Sequence, residues 1–203
     1  MAGAFDEVLA NSLIDQIPDA IDLRQLNAGL AVLTRDMFFY LKEHPRDDSG
    51  WLDDVVDQLE AEEIGSFGDS AFPYYTAQDT DHLPTGLAAA AAAGEFSFAP
   101  LLDRAIDHGW TAHPGDMLQR RYLARLGTRM GAEICGAGGL FEAWQKGRSD
   151  AKALPRQLTA SVLKHAGLEA EAFWYPLSVC VGVTLAHSGL EAYCKKERTS
   201  GAT

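Results

Sequence analysis

Residues 173–186 of this chain, FWYPLSVCVGVTLA, carry no charge and turn apolar faces in every direction. A helix with that pattern has no side to give to water, so other helices must enclose it. Pro176, Ser178, Gly182 and Thr184 interrupt the run, which is also shorter than the ~20 mostly apolar residues a bilayer span needs. The stretch Ala172–Tyr193 is therefore expected to hold the central helix of a soluble all-α domain, with no membrane span.

The rest of the chain supplies amphipathic helices to surround it. Phe5, Val8, Leu9, Leu13 and Ile14 recur at helical steps and predict a first helix over about Gly3 to Ile17. Pro18 stops it. A second helix starts near Asp19 or Asp22, either of which could cap it. Leu23, Leu26, Leu30, Leu33, Met37 and Tyr40 form its heptad seam, which reads as a bundle contact or as a dimer contact. After His44–Pro45, Ser49 caps a third helix over Gly50 to Glu63, with Trp51, Leu52, Val55, Val56 and Leu59 on one face. Asp53, Asp54, Asp57, Glu60 and Glu63 lie on the other with no positive charge among them. Like charges three and four apart cost roughly 0.2–0.5 kcal/mol per pair, so such a row implies stability to spare or a cationic partner.

Helical periodicity lapses from Gly65 to Gly86, where Phe67, Phe72, Tyr74 and Tyr75 are mixed with turn formers. A loop of this length inside a domain is commonly functional. An alanine-rich helix follows at Leu87 to Ala93, then a short helix from Phe98 to His108 capped by Ser97. Asp116 opens a long helix with Met117, Leu118, Tyr122, Leu123, Leu126, Met130 and Ile134 on its apolar side. Arg156 to Ala166 gives one more through Leu158, Val162 and Leu163, and the tail from Cys194 reads as frayed. The expected fold is all-α, a single helical bundle of about seven to eight helices around the buried C-terminal helix. It forms one domain over 1–203, or an acidic unit over 1–64 beside a helical core over 87–195.

Small residues recur every four positions at Gly127, Gly131, Cys135 and Gly139, and again at Ser178, Gly182 and Ala186. Glycine inside a helix costs about 1 kcal/mol relative to alanine, so a reason is needed. Either the two rows cross closely as matched grooves, or GAGGL at 136–140 simply ends its helix.

The net charge of −12 is unevenly spread. Residues 1–100 hold 19 acidic residues against 4 basic ones, whereas 101–203 hold 10 against 13. Nucleic acid is an unlikely partner for the first half, because phosphate contacts need clustered Lys and Arg. Arg120, Arg121, Arg125 and Arg129 line one side of the long helix, as a solvated face, a counter-charge to the acidic half or a grip on phosphate. The N-terminus shows no secretory pattern. Cys135, Cys180 and Cys194 form no CxxC pair and read as reduced thiols in a cytoplasmic protein.

Chemistry is thinly marked. Asp79, Asp81, His82, His108 and His113 are weak metal candidates, since their spacing fits neither HExxH nor the Glu-x-x-His pairs of carboxylate bundles. No serine sits in a GxSxG elbow. Cys180 shares a helix face with His187 but lies among valines, where burial would make its thiol inert. GAGGL lacks the strand and the Lys-Ser or Lys-Thr of a phosphate loop. No cofactor is implied.

The expected function is a non-enzymatic helical module for binding protein, of immunity or antitoxin-like character. It would present Asp53, Asp54, Asp57, Glu60, Glu63, Tyr74 and Tyr75 to a basic protein partner. The alternatives are a ligand- or metal-binding helical enzyme with residues 65–86 as its lid, and a homo-oligomeric module, such as a homodimer, built on the Leu23 to Tyr40 seam.

Overall fold

The computed structural model describes residues 5–44, 86–102, 115–146, 153–166, 171–191 and 193–195, and among them the chain is helical, with no strand. In chain order the helices with both ends among the described residues are α1 (Glu7–Ile14), α2 (Leu23–Glu43), α3 (Leu87–Ala92), α4 (Gly115–Cys135), α5 (Leu140–Gln145), α6 (Ala153–Ala166) and α7 (Tyr175–Ser188). A 3-10 turn at Ala172–Trp174 leads into α7, and helical conformation resumes at Leu190.

The charge-free stretch is the centre of this arrangement. Every residue from Tyr175 to Val183 is buried, and α7 packs on α6, α2 and α1. Pro176 stands in the first turn of α7, where its missing N–H would have had no helical partner, so it begins the helix rather than kinking it. The two buried threonines are satisfied locally. Thr159 Oγ1 donates to the carbonyl of Pro155 at 2.8 Å, and Thr34 Oγ1 to that of Leu30 at 2.7 Å. Such bonds to the preceding turn let a threonine sit in a helix core.

Helices α1, α2 and α3 start at carboxylates. Asp6 accepts from the N–H groups of Val8 and Leu9, both at 3.0 Å, so α1 begins at Glu7, later than the apolar spacing predicts. Its entry is also tied to the centre: the Asp6 N–H donates to Tyr175 Oη at 2.7 Å, and the rings of Phe5 and Tyr175 stack at 6.0 Å. Val8, expected on the apolar face, is 81% exposed, because Ala10, Leu13 and Ile17 are the residues that reach the core. Of the two caps considered for α2, Asp22 is the one used. Its Oδ1 accepts from Arg24 N–H at 2.9 Å while Gln25 Oε1 accepts from Asp22 N–H at 3.2 Å, a reciprocal capping box.

The heptad seam of α2 is spent within the subunit. Leu26, Leu30, Leu33 and Met37 are fully buried, and α2 packs against α7, α4 and α3. Helix α3 has no cap of its own, since Gly86 precedes it at φ 75° with no side chain to offer. Asp36 of α2 does the work from fifty residues away: Oδ1 accepts from Gly86 N–H at 3.0 Å and Oδ2 from Ala88 N–H at 2.7 Å. Replacing Asp36 by alanine is expected to cost about 1–2 kcal/mol, as loss of an N-cap does. In native-state hydrogen exchange the loss would appear first at 86–92, whereas equal protection there in both proteins would show that the cap carries no weight.

The close crossing exists, but between other helices than the two glycine rows suggest. A Cβ built on Gly182 would stand 2.7 Å from Thr159 Oγ1 and 2.9 Å from the Pro155 carbonyl oxygen. The tight neighbour of α7 is therefore α6, while α4 packs on α2, α6 and α5. The start of α6 includes Leu154 and Pro155, both buried, ahead of the expected Arg156. The end-of-helix reading of GAGGL holds: α4 stops at Cys135 and Gly138 takes φ 76°. Ser97 is not the cap of the helix after it, which starts at residue 99. The Phe98 N–H there donates to Gln16 Oε1 at 3.0 Å.

The cysteine reading is corrected. Cys135 and Cys194 form a disulfide with their Cα atoms 5.3 Å apart, and Cys180 alone is free. The tail is accordingly pinned as far as Lys195, with Cys194 buried. Closing a sequence separation of 59 removes enough unfolded-chain entropy to contribute roughly 2–4 kcal/mol. Among the described residues no helix is long and apolar enough to cross a membrane.

Candidate functional site

The acidic row Asp53, Asp54, Asp57, Glu60 and Glu63, the tyrosines Tyr74 and Tyr75, and the metal candidates Asp79, Asp81, His82, His108 and His113 lie outside the described residues, as do the side chains of Arg120 and Arg121. Among the described residues no group of three or more His, Cys, Asp or Glu side chains is placed to hold a metal.

The one cluster of titratable side chains bridging described helices lies between α4 and α6. Helix α4 turns its apolar face, Tyr122, Leu126, Met130 and Ile134, into the core. The next positions round the helix, Arg129 and Glu133, then meet the end of α6. Arg129 Nε donates to the carbonyl oxygen of His165 at 3.0 Å, meeting the unsatisfied, partly negative end of α6. Arg125 is exposed. Glu133 Oε2 accepts from Lys164 Nζ at 2.7 Å and lies 3.0 Å from His165 Nε2. The Lys164 hydrogen bond holds the Glu133 carboxyl below its ordinary value of 4.5 against the opposing pull of burial, with His165 and then Ser161 helping.

A serine and a histidine one turn apart on α6, facing a glutamate of α4, invite comparison with a nucleophilic triad, and the geometry refuses it. Ser161 Oγ is buried and has no hydrogen-bond partner, although it stands near enough to favour the ionised Glu133. A triad needs the serine bonded to the histidine and open to substrate. Lys164 also neutralises the carboxylate that would orient the ring. The cluster is a brace between two helices.

The brace has a pH signature. Glu133 has a depressed folded value, so its contribution is fully present above the unfolded carboxylate range and is lost as pH falls below about 4.5. Its side chain is a third exposed, and solvent screening limits the effect to within about 1 kcal/mol. Glu133→Gln is expected to flatten the acid limb of a stability-against-pH curve while leaving the value at pH 3 nearly unchanged. An unaltered slope would show that the brace contributes nothing.

Two other groups with chemical potential are spoken for. Burial pushes the Cys180 thiol up to about 12, its Sγ lies 3.7 Å from the Leu26 carbonyl, and His187 is exposed, so no thiolate–imidazole pair forms. At GAGGL the Gly138 N–H donates to Glu142 Oε2 at 2.6 Å, which puts a carboxylate where a phosphate would have to sit. Sequence reasoning passed over the Glu133–His165 brace and the Cys135–Cys194 bond, because their partners are 32 and 59 residues apart and no local pattern marks them. Comparison with protein-family models, with curated proteins and with solved structures finds no match.

Proposed function

We propose that this protein is a non-enzymatic helical binding module whose acidic first half engages a basic protein partner, in the manner of an immunity or antitoxin-like inhibitor. The observation that carries the reading is charge placement. Between Arg46 and Arg104 the chain has 13 Asp and Glu and no Lys or Arg at all. Carboxylates kept without local counter-charges give a field that attracts a cationic surface and speeds its docking.

Part of the acidity has another purpose, and it falls outside this stretch. Asp6, Asp22 and Asp36 cap α1, α2 and α3. The row at Asp53, Asp54, Asp57, Glu60 and Glu63 is the proposed contact, together with Tyr74 and Tyr75.

The test is affinity capture from the source lysate with wild type and an Asp53→Lys, Asp57→Lys, Glu60→Lys variant, at low and high salt. A defined cationic protein retained by wild type, weakened by salt and lost with the variant is the expected result. Retention of the same partners by both proteins, or no cationic protein retained by wild type, would overturn the proposal. Circular dichroism of the variant checks that its fold is intact.

A further inference from the structure

The terminal turn is joined to the bundle by a covalent bond. Helix α7 ends at Ser188, and Gly189 reverses the chain at φ 85° and ψ 120°, a conformation that an L side chain rarely adopts. Helical conformation resumes at Leu190 and lays the turn on α4. Tyr193 Oη donates to the Gly127 carbonyl at a long 3.4 Å, and Leu190 and Cys194 are buried. The Lys195–Glu191 pair is internal to the turn. The covalent link to α4 is the Cys135–Cys194 bond.

The two cysteines of the bond are not buried alike. Cys135 is half-buried at the end of α4, and Cys194 is 1% exposed. The remaining cysteine, Cys180, is enclosed in the core and cannot reshuffle with the pair.

We propose that Cys135–Cys194 is a redox clasp: reduction by a dithiol releases residues 190–195 about Gly189 and bares the Gly127–Gly131 side of α4, while the bundle stays folded. The attacking thiolate of the dithiol bonds to Cys135 Sγ, and Cys194 leaves as a thiolate and takes a proton. The second thiolate of the dithiol then closes its own disulfide and releases Cys135, which is protonated in turn. Two electrons pass from the dithiol to the protein, and the reductant ends as its disulfide.

The test is hydrogen exchange read by mass spectrometry on the full chain, air-oxidised and after dithiothreitol, with alkylation under native conditions to count thiols. Reduction is expected to add two alkylated cysteines and to speed exchange over 189–195 at least roughly ten-fold, while 175–183 stays protected, its exchange quickened only by loss of the cross-link's contribution to global stability. Oxidised glutathione should restore the slow state. Cys194→Ala should show the fast pattern without reductant, and Cys135→Ala should match it. Unchanged exchange over 189–195 would overturn the clasp. So would exchange over 175–183 as fast as over the turn, which would make the bond a staple of the whole fold. A bond that dithiothreitol reduces only in denaturant, or a purified protein with three free thiols after air oxidation, would overturn it too.

Discussion

Gly182→Ala is expected to destabilise the protein by about 1–2 kcal/mol, even though alanine is the better helix former by about 1 kcal/mol. The new methyl would meet the Pro155 carbonyl oxygen and the Thr159 backbone nitrogen, both at 2.9 Å. These are backbone atoms in the first turns of α6, so relief requires the two helices to part. Overpacking of that kind costs about 1–3 kcal/mol, and Gly182→Val, with two further methyls, should cost at least the upper end. Gly29 is the internal comparison. Its Cβ would lie 3.6 Å from Leu101 Cδ2, an ordinary contact, so Gly29→Ala should be neutral or stabilising by up to about 1 kcal/mol. Urea unfolding followed by circular dichroism separates the two. A Gly182→Ala protein as stable as wild type would mean that α6 and α7 do not cross where their backbones touch.

Leu30→Ala is expected to cost about 2–5 kcal/mol through lost burial and the cavity left behind. Leu30 is fully buried in α2, a helix that packs against α7, α4 and α3. The same substitution discriminates between the two uses of a heptad seam. A core leucine lowers the unfolding midpoint equally at every protein concentration. A subunit contact would instead change the sedimentation coefficient and make the midpoint concentration-dependent. A concentration-dependent loss would return the seam to the surface and reopen the homo-oligomeric reading.

How far the fold could be read in advance differs from element to element. The 173–186 stretch announced its own burial, because a helix with no polar face has one place to go. The seam of α2 and the apolar stripe of α4 were equally legible from period alone. Asp22 with Gln25 was a local capping pattern that had only to be chosen over Asp19. The glycine row of α4 was misread as half of a crossing: Gly182 needs a neighbour at close range, but its spacing does not say which one. The acidic row at Asp53, Asp57 and Glu60 is a statement about charge, and that remains its support.

Composition and periodicity determined on their own that this chain is helical, which faces are apolar and which stretch lies at the centre, because those properties follow from the pattern of each segment in water. Only the tertiary structure decided that Asp36 caps a helix fifty residues on, that Tyr175 holds the start of α1, that α6 is the helix pressed against Gly182, and that Cys135 finds Cys194. Each of these joins groups far apart in the chain. Their energies depend on distances of a few ångströms that no local spacing encodes.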